Sequence, residues 1–200
     1  MISVIDYDGG NIKSILNVLK RCRIDYQLTS DEKIIAQSDK IILPGVSNFS
    51  YCMASLINKG LDKIIKNEIA KDKKFLGICS GMQVLGNYSE EGNCEGLNII
   101  KGKVIKFPKE KCKIVPHMGW NKIKIINNTL MSNIKNDTRF YFCHSYYFVP
   151  ENKEDIMLET KYHFNFCSGI MQKNIIGIQF HPEKSLYYGM KLLENFTKLV

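Results

Sequence analysis

The run Phe75-Leu76-Gly77-Ile78-Cys79-Ser80-Gly81-Met82-Gln83 constrains the fold more than any other stretch of the sequence. An apolar, strand-like segment ends at a cysteine, a helix-like segment follows, and a glycine stands two residues away on either side. Glycines at that spacing let the backbone turn sharply from strand to helix without a Cβ clash, which pushes the central side chain into the open. The geometry is that of a nucleophile elbow carrying a thiol. It requires a strand whose carboxyl end opens directly onto a helix, as in sheets with helices packed on their faces.

The rest of the chain repeats this alternation. Ile2 to Asp6 reads as a buried strand, Tyr7 to Gly10 as a turn, and Asn11 to Cys22 as a helix with Ile12, Ile15, Leu16 and Leu19 on one face. Further strands fit Tyr26 to Thr29, Lys40 to Leu43 and Phe75 to Ile78. A long, interrupted helical region begins at Asn48, and another helix runs to Leu85. From Leu97 to about Met171 the pattern changes to short β-like runs at 102–107, 122–126, 139–142, 156–159 and 166–171. The α/β rhythm returns with a strand over 175–180 and a terminal helix from about Ser185 to Leu199. The expected fold is α/β, a three-layer, open and mainly parallel sheet flanked by helices, with an antiparallel edge sheet added by the middle region. Two hundred residues without a Pro/Gly/Ser-rich linker predict a single domain over 1–200.

Composition narrows the function. The N-terminus lacks a basic region followed by a long apolar stretch, and no apolar run approaches the roughly 20 residues of a membrane helix, so a cytoplasmic protein without a membrane partner is expected. Seven cysteines without regular spacing or a CxxC pair read as thiols. A net charge of +8 could suggest nucleic acid. The lysines, however, are dispersed, arginine occurs three times, and no basic stripe interleaves with aromatics, so no nucleic-acid partner is expected.

About a hundred residues after the elbow stands Gln179-Phe180-His181-Pro182-Glu183-Lys184-Ser185. Ligands in open α/β sheets bind at the carboxyl ends of the strands, where the first glycine loop, Pro44-Gly45, Cys79 and His181 would all converge. Cys79, His181 and Glu183 then make a complete acyl-transfer set of thiol, base and orienting carboxylate. A free thiol titrates near about 8.5, and a helix N-terminus with an adjacent imidazole lowers that value. The oxyanion of the tetrahedral intermediate needs donors; the Ser80 amide and the Gly45-Val46-Ser47 loop are the candidates. His-x-Glu also opens the zinc deaminase signature, but no cysteine follows Cys167, which excludes that chemistry.

The Gly-Ile-Cys-Ser-Gly-Met-Gln run, Leu-Pro-Gly-Val at 43–46 and Gln-Phe-His-Pro-Glu-Lys-Ser at 179–185 resemble the class I glutamine amidotransferases. Within that class the chain is most similar to the glutaminase subunits of imidazole glycerol phosphate synthases, from residue 2 to about 198. Ile5-Asp6-Tyr7 with Gly10-Asn11, Val115-Pro116-His117-Met118-Gly119-Trp120-Asn121, Phe140 to Tyr147 and Lys184-Ser185 carry this closer likeness. The resemblance implies a cofactor-free enzyme that hydrolyses L-glutamine through a thioester and passes ammonia to a (β/α)8-barrel synthase subunit. It makes Cys79 the nucleophile, His181 the acid and base, and Glu183 the orienting carboxylate. It gives Gln83, His144, Ser145 and Tyr146 to the glutamine, although the residues alone read equally well as a helix's polar face and an edge strand. Asn11, Trp120 and Lys184 fall at the partner interface, where Trp120 alone reads as a core aromatic and Lys184 as a solvated lysine. Asp8-Gly9 differs from the family's usual loop, and two further positions depart from its pattern: Ser47 replaces the last glycine of Pro-Gly-Val-Gly, and Ser80 replaces a leucine. These departures leave open a paralogous glutaminase that feeds a sugar amidotransferase.

Overall fold

Alternate residues of the central strands enter two separate hydrophobic clusters, so the sheet is buried on both faces. The computed structural model describes residues 1–9 and 12–199. Five parallel strands lie in the order β2 (Tyr26–Thr29), β1 (Ile2–Ile5), β3 (Lys40–Leu43), β4 (Lys74–Ile78) and β13 (Ile175–Ile178). Val4, Ile42, Leu76, Ile78, Ile176 and Ile178 point into one cluster with α1 (Lys13–Arg21) and α6 (Leu186–Lys198). Ile5, Ile41, Leu43, Phe75 and Ile175 point into the other. There they meet α2 (Glu32–Gln37), α3 (Phe49–Asn58), α4 (Leu61–Ala70) and α5 (Ser80–Gln83). Each aliphatic side chain fully buried in this way contributes about 1.5–3 kcal/mol, which fixes register as well as stability because a one-residue slip would exchange the two faces.

Local signals set the helix boundaries. Asp31 accepts N–H groups of Lys33 and Ile34 at the start of α2, and Asn48 accepts that of Tyr51 at 2.8 Å at the start of α3. The long helical region expected after Asn48 is two helices. It breaks at Gly60, whose φ of 68° is available to glycine at little cost.

Beyond β13 the pairing turns mainly antiparallel. β12 (Phe164–Gln172) follows β13, then come β10 (Tyr146–Pro150), β7 (Gly102–Lys106) and the short pair β5 (Tyr88–Ser89) and β6 (Cys94–Glu95), with β5 parallel to β7. A branch leaves through β11 (Ile156–Tyr162), β8 (His117–Ile125) and β9 (Arg139–His144). The expected antiparallel addition is thus present and extensive, and β8 begins five residues earlier than the strand read from sequence at Lys122. The branch folds back over the sheet edge: Tyr141 bridges to His181, whose N–H donates to the Tyr141 carbonyl at 2.9 Å. Among the described residues no helix is long and apolar enough to cross a membrane, and all seven cysteines are free.

Candidate active site

Cys79 sits between β4 and α5 with φ 53° and ψ −112°, a conformation costing a non-glycine residue on the order of 1–3 kcal/mol. Its neighbours hold it there. The Cys79 N–H donates to the Ile178 carbonyl at 2.7 Å, and the Cys79 carbonyl accepts N–H groups of Met82 and Gln83 at 3.0 and 3.1 Å. The flanking glycines serve a close approach: a Cβ on Gly81 would lie 2.1 Å from the Leu43 carbonyl oxygen, and one on Gly77 2.4 Å from the Gly81 carbonyl oxygen. We expect Gly81→Ala to lower stability by about 1–3 kcal/mol, because backbone rather than a movable side chain must yield. Denaturant unfolding measures this, and a midpoint equal to that of the unaltered chain would contradict it.

His181 follows β13 in extended conformation, φ −98° and ψ 100°, as expected for a residue before proline. Its Nδ1 lies 2.8 Å from Glu183 Oε1, and both side chains are almost fully buried. Burial opposes protonation of the ring, but the charge and hydrogen bond of Cys79, joined by those of Glu183, outweigh it and push the imidazole up to about 10. His181 is therefore held as imidazolium between sulfur and carboxylate. A cysteine sulfur on the elbow, an imidazole hydrogen-bonded to it and a carboxylate behind can together perform acyl transfer.

The sulfur opens on a cleft of about 280 Å³ lined by Ser47, Asn48, Cys79, Ser80, Gln83, Glu91, Pro116, Cys143, His144, Ser145 and Tyr146. The residues expected at a glutamine site thus converge, apart from Gly45, which backs the elbow, and Val46, which is exposed beside it. Ser80 opens α5, so its N–H has no intrahelical acceptor. Ser47 points its hydroxyl at Tyr7 Oη, 3.4 Å away. Tyr7 is fully buried; burial first, then Cys52, raise its phenol well above the usual value while Ser47 and the Val46 amide bond to its oxygen. The departure at Ser47 therefore ties the loop to the core.

Two expected substrate residues have their side chains engaged elsewhere. Gln83 Nε2 donates to the Tyr146 carbonyl and to Gln179 Oε1, both at 3.0 Å, which leaves Oε1 as the acceptor it can offer a substrate. His144 lies in an aromatic cluster, its ring 5.3 Å from Phe107 and 5.4 Å from Phe166. Its Nδ1 donates to the Tyr146 carbonyl at 2.7 Å, since a carbonyl only accepts. Its Nε2 then accepts from His117 Nδ1 at 3.0 Å, and His117 Nε2 accepts from the Asn121 amide at 3.1 Å. Burial lowers His117 to about 4; burial, with His117 and His181 nearby, lowers His144 to about 3. Both rings are neutral and their tautomers fixed.

Glu91 and Gln179 escaped the sequence reading. Glu91 brings a carboxylate to the cleft from the turn between β5 and β6 and accepts the Phe49 N–H at 2.9 Å. Gln179, fully buried, directs its Nε2 at Cys79 Sγ, 3.6 Å away. Of the expected interface residues, Trp120 is half exposed against Tyr141, and Lys184 stands over the Tyr141 ring at 5.5 Å. Leu186, Tyr187 and Tyr188 continue an exposed apolar face beside them. Asn11 lies outside the described residues.

A cysteine, a histidine and a buried carboxylate thus meet at one end of a parallel sheet, the groups that acyl transfer needs. Residues 3–199 match the glutamine amidotransferase class-I family, and the chain belongs to that family. It is 44% identical, over 99% of both chains, to imidazole glycerol phosphate synthase subunit HisH 2 of Methanococcus maripaludis. The subunit HisH 2 of Pseudomonas aeruginosa is 42% identical over the whole of both chains, and the subunit HisH of Dehalococcoides mccartyi 44% identical over all of this chain and 97% of its own. Among solved structures, a glutamine amidotransferase superposes with a TM-score of 0.77 at 13% identity, covering 98% of this chain and 97% of its own. PurLQS from Thermotoga maritima gives 0.75 at 19%, covering 98% and 96%. At such identities these two likenesses speak for the fold.

Proposed function

We propose that this chain is the glutaminase subunit of an imidazole glycerol phosphate synthase, hydrolysing L-glutamine and delivering ammonia to a (β/α)8 synthase subunit in histidine biosynthesis. The observation that carries the reading is the His181 ring, hydrogen-bonded to Cys79 and with its Nδ1 2.8 Å from Glu183, at the mouth of a polar cleft, in a chain whose full-length relatives bear that name. The cleft contains one carboxylate, Glu91, suited to an α-ammonium, and backbone groups of Ser145 and Tyr146 suited to the other end of an amino acid.

The Cys79 thiolate attacks the side-chain amide carbon of glutamine, forming a C–S bond while the carbonyl π pair moves to oxygen. The Ser80 amide is placed to donate to that oxyanion, whereas the Val46 amide is bonded to the Tyr7 oxygen and would have to turn to join it; each such donor is worth roughly 3–4 kcal/mol in the barrier. As the oxyanion collapses, the C–N bond breaks and the nitrogen takes the His181 proton, leaving as ammonia and a thioester. Neutral His181 then accepts a proton from water as the oxygen attacks the thioester carbon. The second collapse returns the bonding pair to sulfur and releases glutamate, and Glu183 keeps the ring oriented through both halves.

Docking of the barrel on the face around Trp120, Lys184 and Leu186 would bring ammonia from Cys79 into the partner without release to solvent. The test is glutamate release by the isolated chain and by an equimolar mixture with the barrel subunit and its ligand. Slow hydrolysis alone and a large increase in the mixture are expected; equal rates would refute the coupling, and activation only by a sugar-modifying synthase would identify a different acceptor.

A further inference from the structure

We propose that Gln179 is a catalytic residue of this site, donating its side-chain N–H to Cys79 Sγ and holding the sulfur in its charged form before attack and again on its release. The amide nitrogen lies 3.6 Å from the sulfur, within reach of an N–H to sulfur hydrogen bond, and Gln179 is fully buried. Which end of the amide faces the sulfur is set by its neighbours. The Tyr146 carbonyl can only accept, so Gln83 presents its NH₂ there, and the same NH₂ claims Gln179 Oε1, leaving Gln179 Nε2 for Cys79. The Tyr146 carbonyl is itself fixed by His144, and behind it stand His117 and Asn121, each with its donor and acceptor assigned. The Gln179 backbone is pinned as well, its N–H donating to Ser168 at 3.0 Å.

A donor at this point discriminates between states of the sulfur. An N–H to thiolate bond is charge-assisted, whereas a thioester sulfur is a weak acceptor, so the bond is strongest before attack and again as sulfur leaves in deacylation. The imidazolium of His181 contacts the same sulfur but gives up its proton to ammonia during the cycle; Gln179 cannot, and remains a donor when His181 is neutral. The other ionisable groups around the sulfur are His181 and Glu183 beyond β13, Cys143 and His144 on β9, Cys52 on α3 and Glu91 across the cleft. None of them offers a fixed neutral donor to it.

The inference rests on the glutaminase reading for the fate of the sulfur, but its test does not require glutamine. Iodoacetamide alkylation of the full chain is followed by mass spectrometry of the peptide carrying Cys79, across pH, for the unaltered chain and Gln179→Met. Loss of the donor should move the rise of alkylation upward by about one pH unit and lower kcat about tenfold with KM within about twofold. In the unaltered chain, the Gln179 side-chain amide resonances should shift through the same midpoint as Cys79 alkylation, a readout that needs no variant to fold. A folded Gln179→Met chain with the original alkylation profile, or amide resonances indifferent to Cys79 ionisation, would overturn the proposal. A shifted profile in a chain that hydrolyses no glutamine would sustain Gln179 and reject the glutaminase reading instead.

Discussion

Cys79→Ala should abolish glutamine hydrolysis, a loss of about ten-thousandfold or more in kcat, while the partnered synthase still runs on added ammonium. Without the sulfur there is no thioester. The oxyanion donors and the cleft remain, but water has no activated acyl group to attack. No other thiol can substitute. Cys52 is buried and its thiol pushed up to about 12, chiefly by burial. Cys143 lines the same cleft but sits on β9, away from the elbow amide and outside the hydrogen bonds of His181. The substitution leaves the backbone strain in place, because alanine retains Cβ and inherits the same positive φ. Glutamate release measured beside ammonium-driven turnover separates the two halves of the enzyme. Retention of more than about one-hundredth of the glutaminase activity would remove Cys79 from the nucleophile's role.

The central features of the site were legible in the sequence because they depend on local rules. Glycines at 77 and 81 dictate the turn around Cys79, proline after His181 dictates its extended backbone, and continuous apolar runs dictate strands buried on both faces. What escaped depends on residues distant in the chain. The helix Glu32–Gln37 is short, and only its Asp31 cap marks it. Gln179 belongs to an evident motif, yet its side chain is oriented by Gln83, 96 residues earlier, and its partner Cys79 is 100 residues away. His144 lines the cleft as expected, but nothing in the sequence shows that the pairing of β8 with β9 places it opposite His117, where the two rings satisfy each other. Glu91 reaches the cleft only because a turn between two-residue strands carries it there. Side-chain destinations of this kind are set by register and tertiary pairing, which periodicity does not encode.

His181→Asn should lower kcat by about a thousandfold to ten-thousandfold, since the departing nitrogen loses its proton donor and the attacking water its base. The same substitution tests the charge state of the resting site. The imidazole is pushed up to about 10 in the folded chain, against about 6.5 in an unfolded one. A group with a raised folded value binds its proton more tightly in the native state. Its contribution to stability is therefore complete below about pH 6.5 and is lost progressively as pH rises through about 10. Thermal unfolding of the two chains side by side cancels the lysines and tyrosines that titrate in the same range. The unaltered chain should exceed His181→Asn in melting temperature by its largest margin below about pH 6.5, and that margin should shrink steadily toward pH 10. A margin independent of pH would mean that His181 rests neutral, and a neutral His181 would have to take the thiol proton during attack instead of meeting a thiolate already formed.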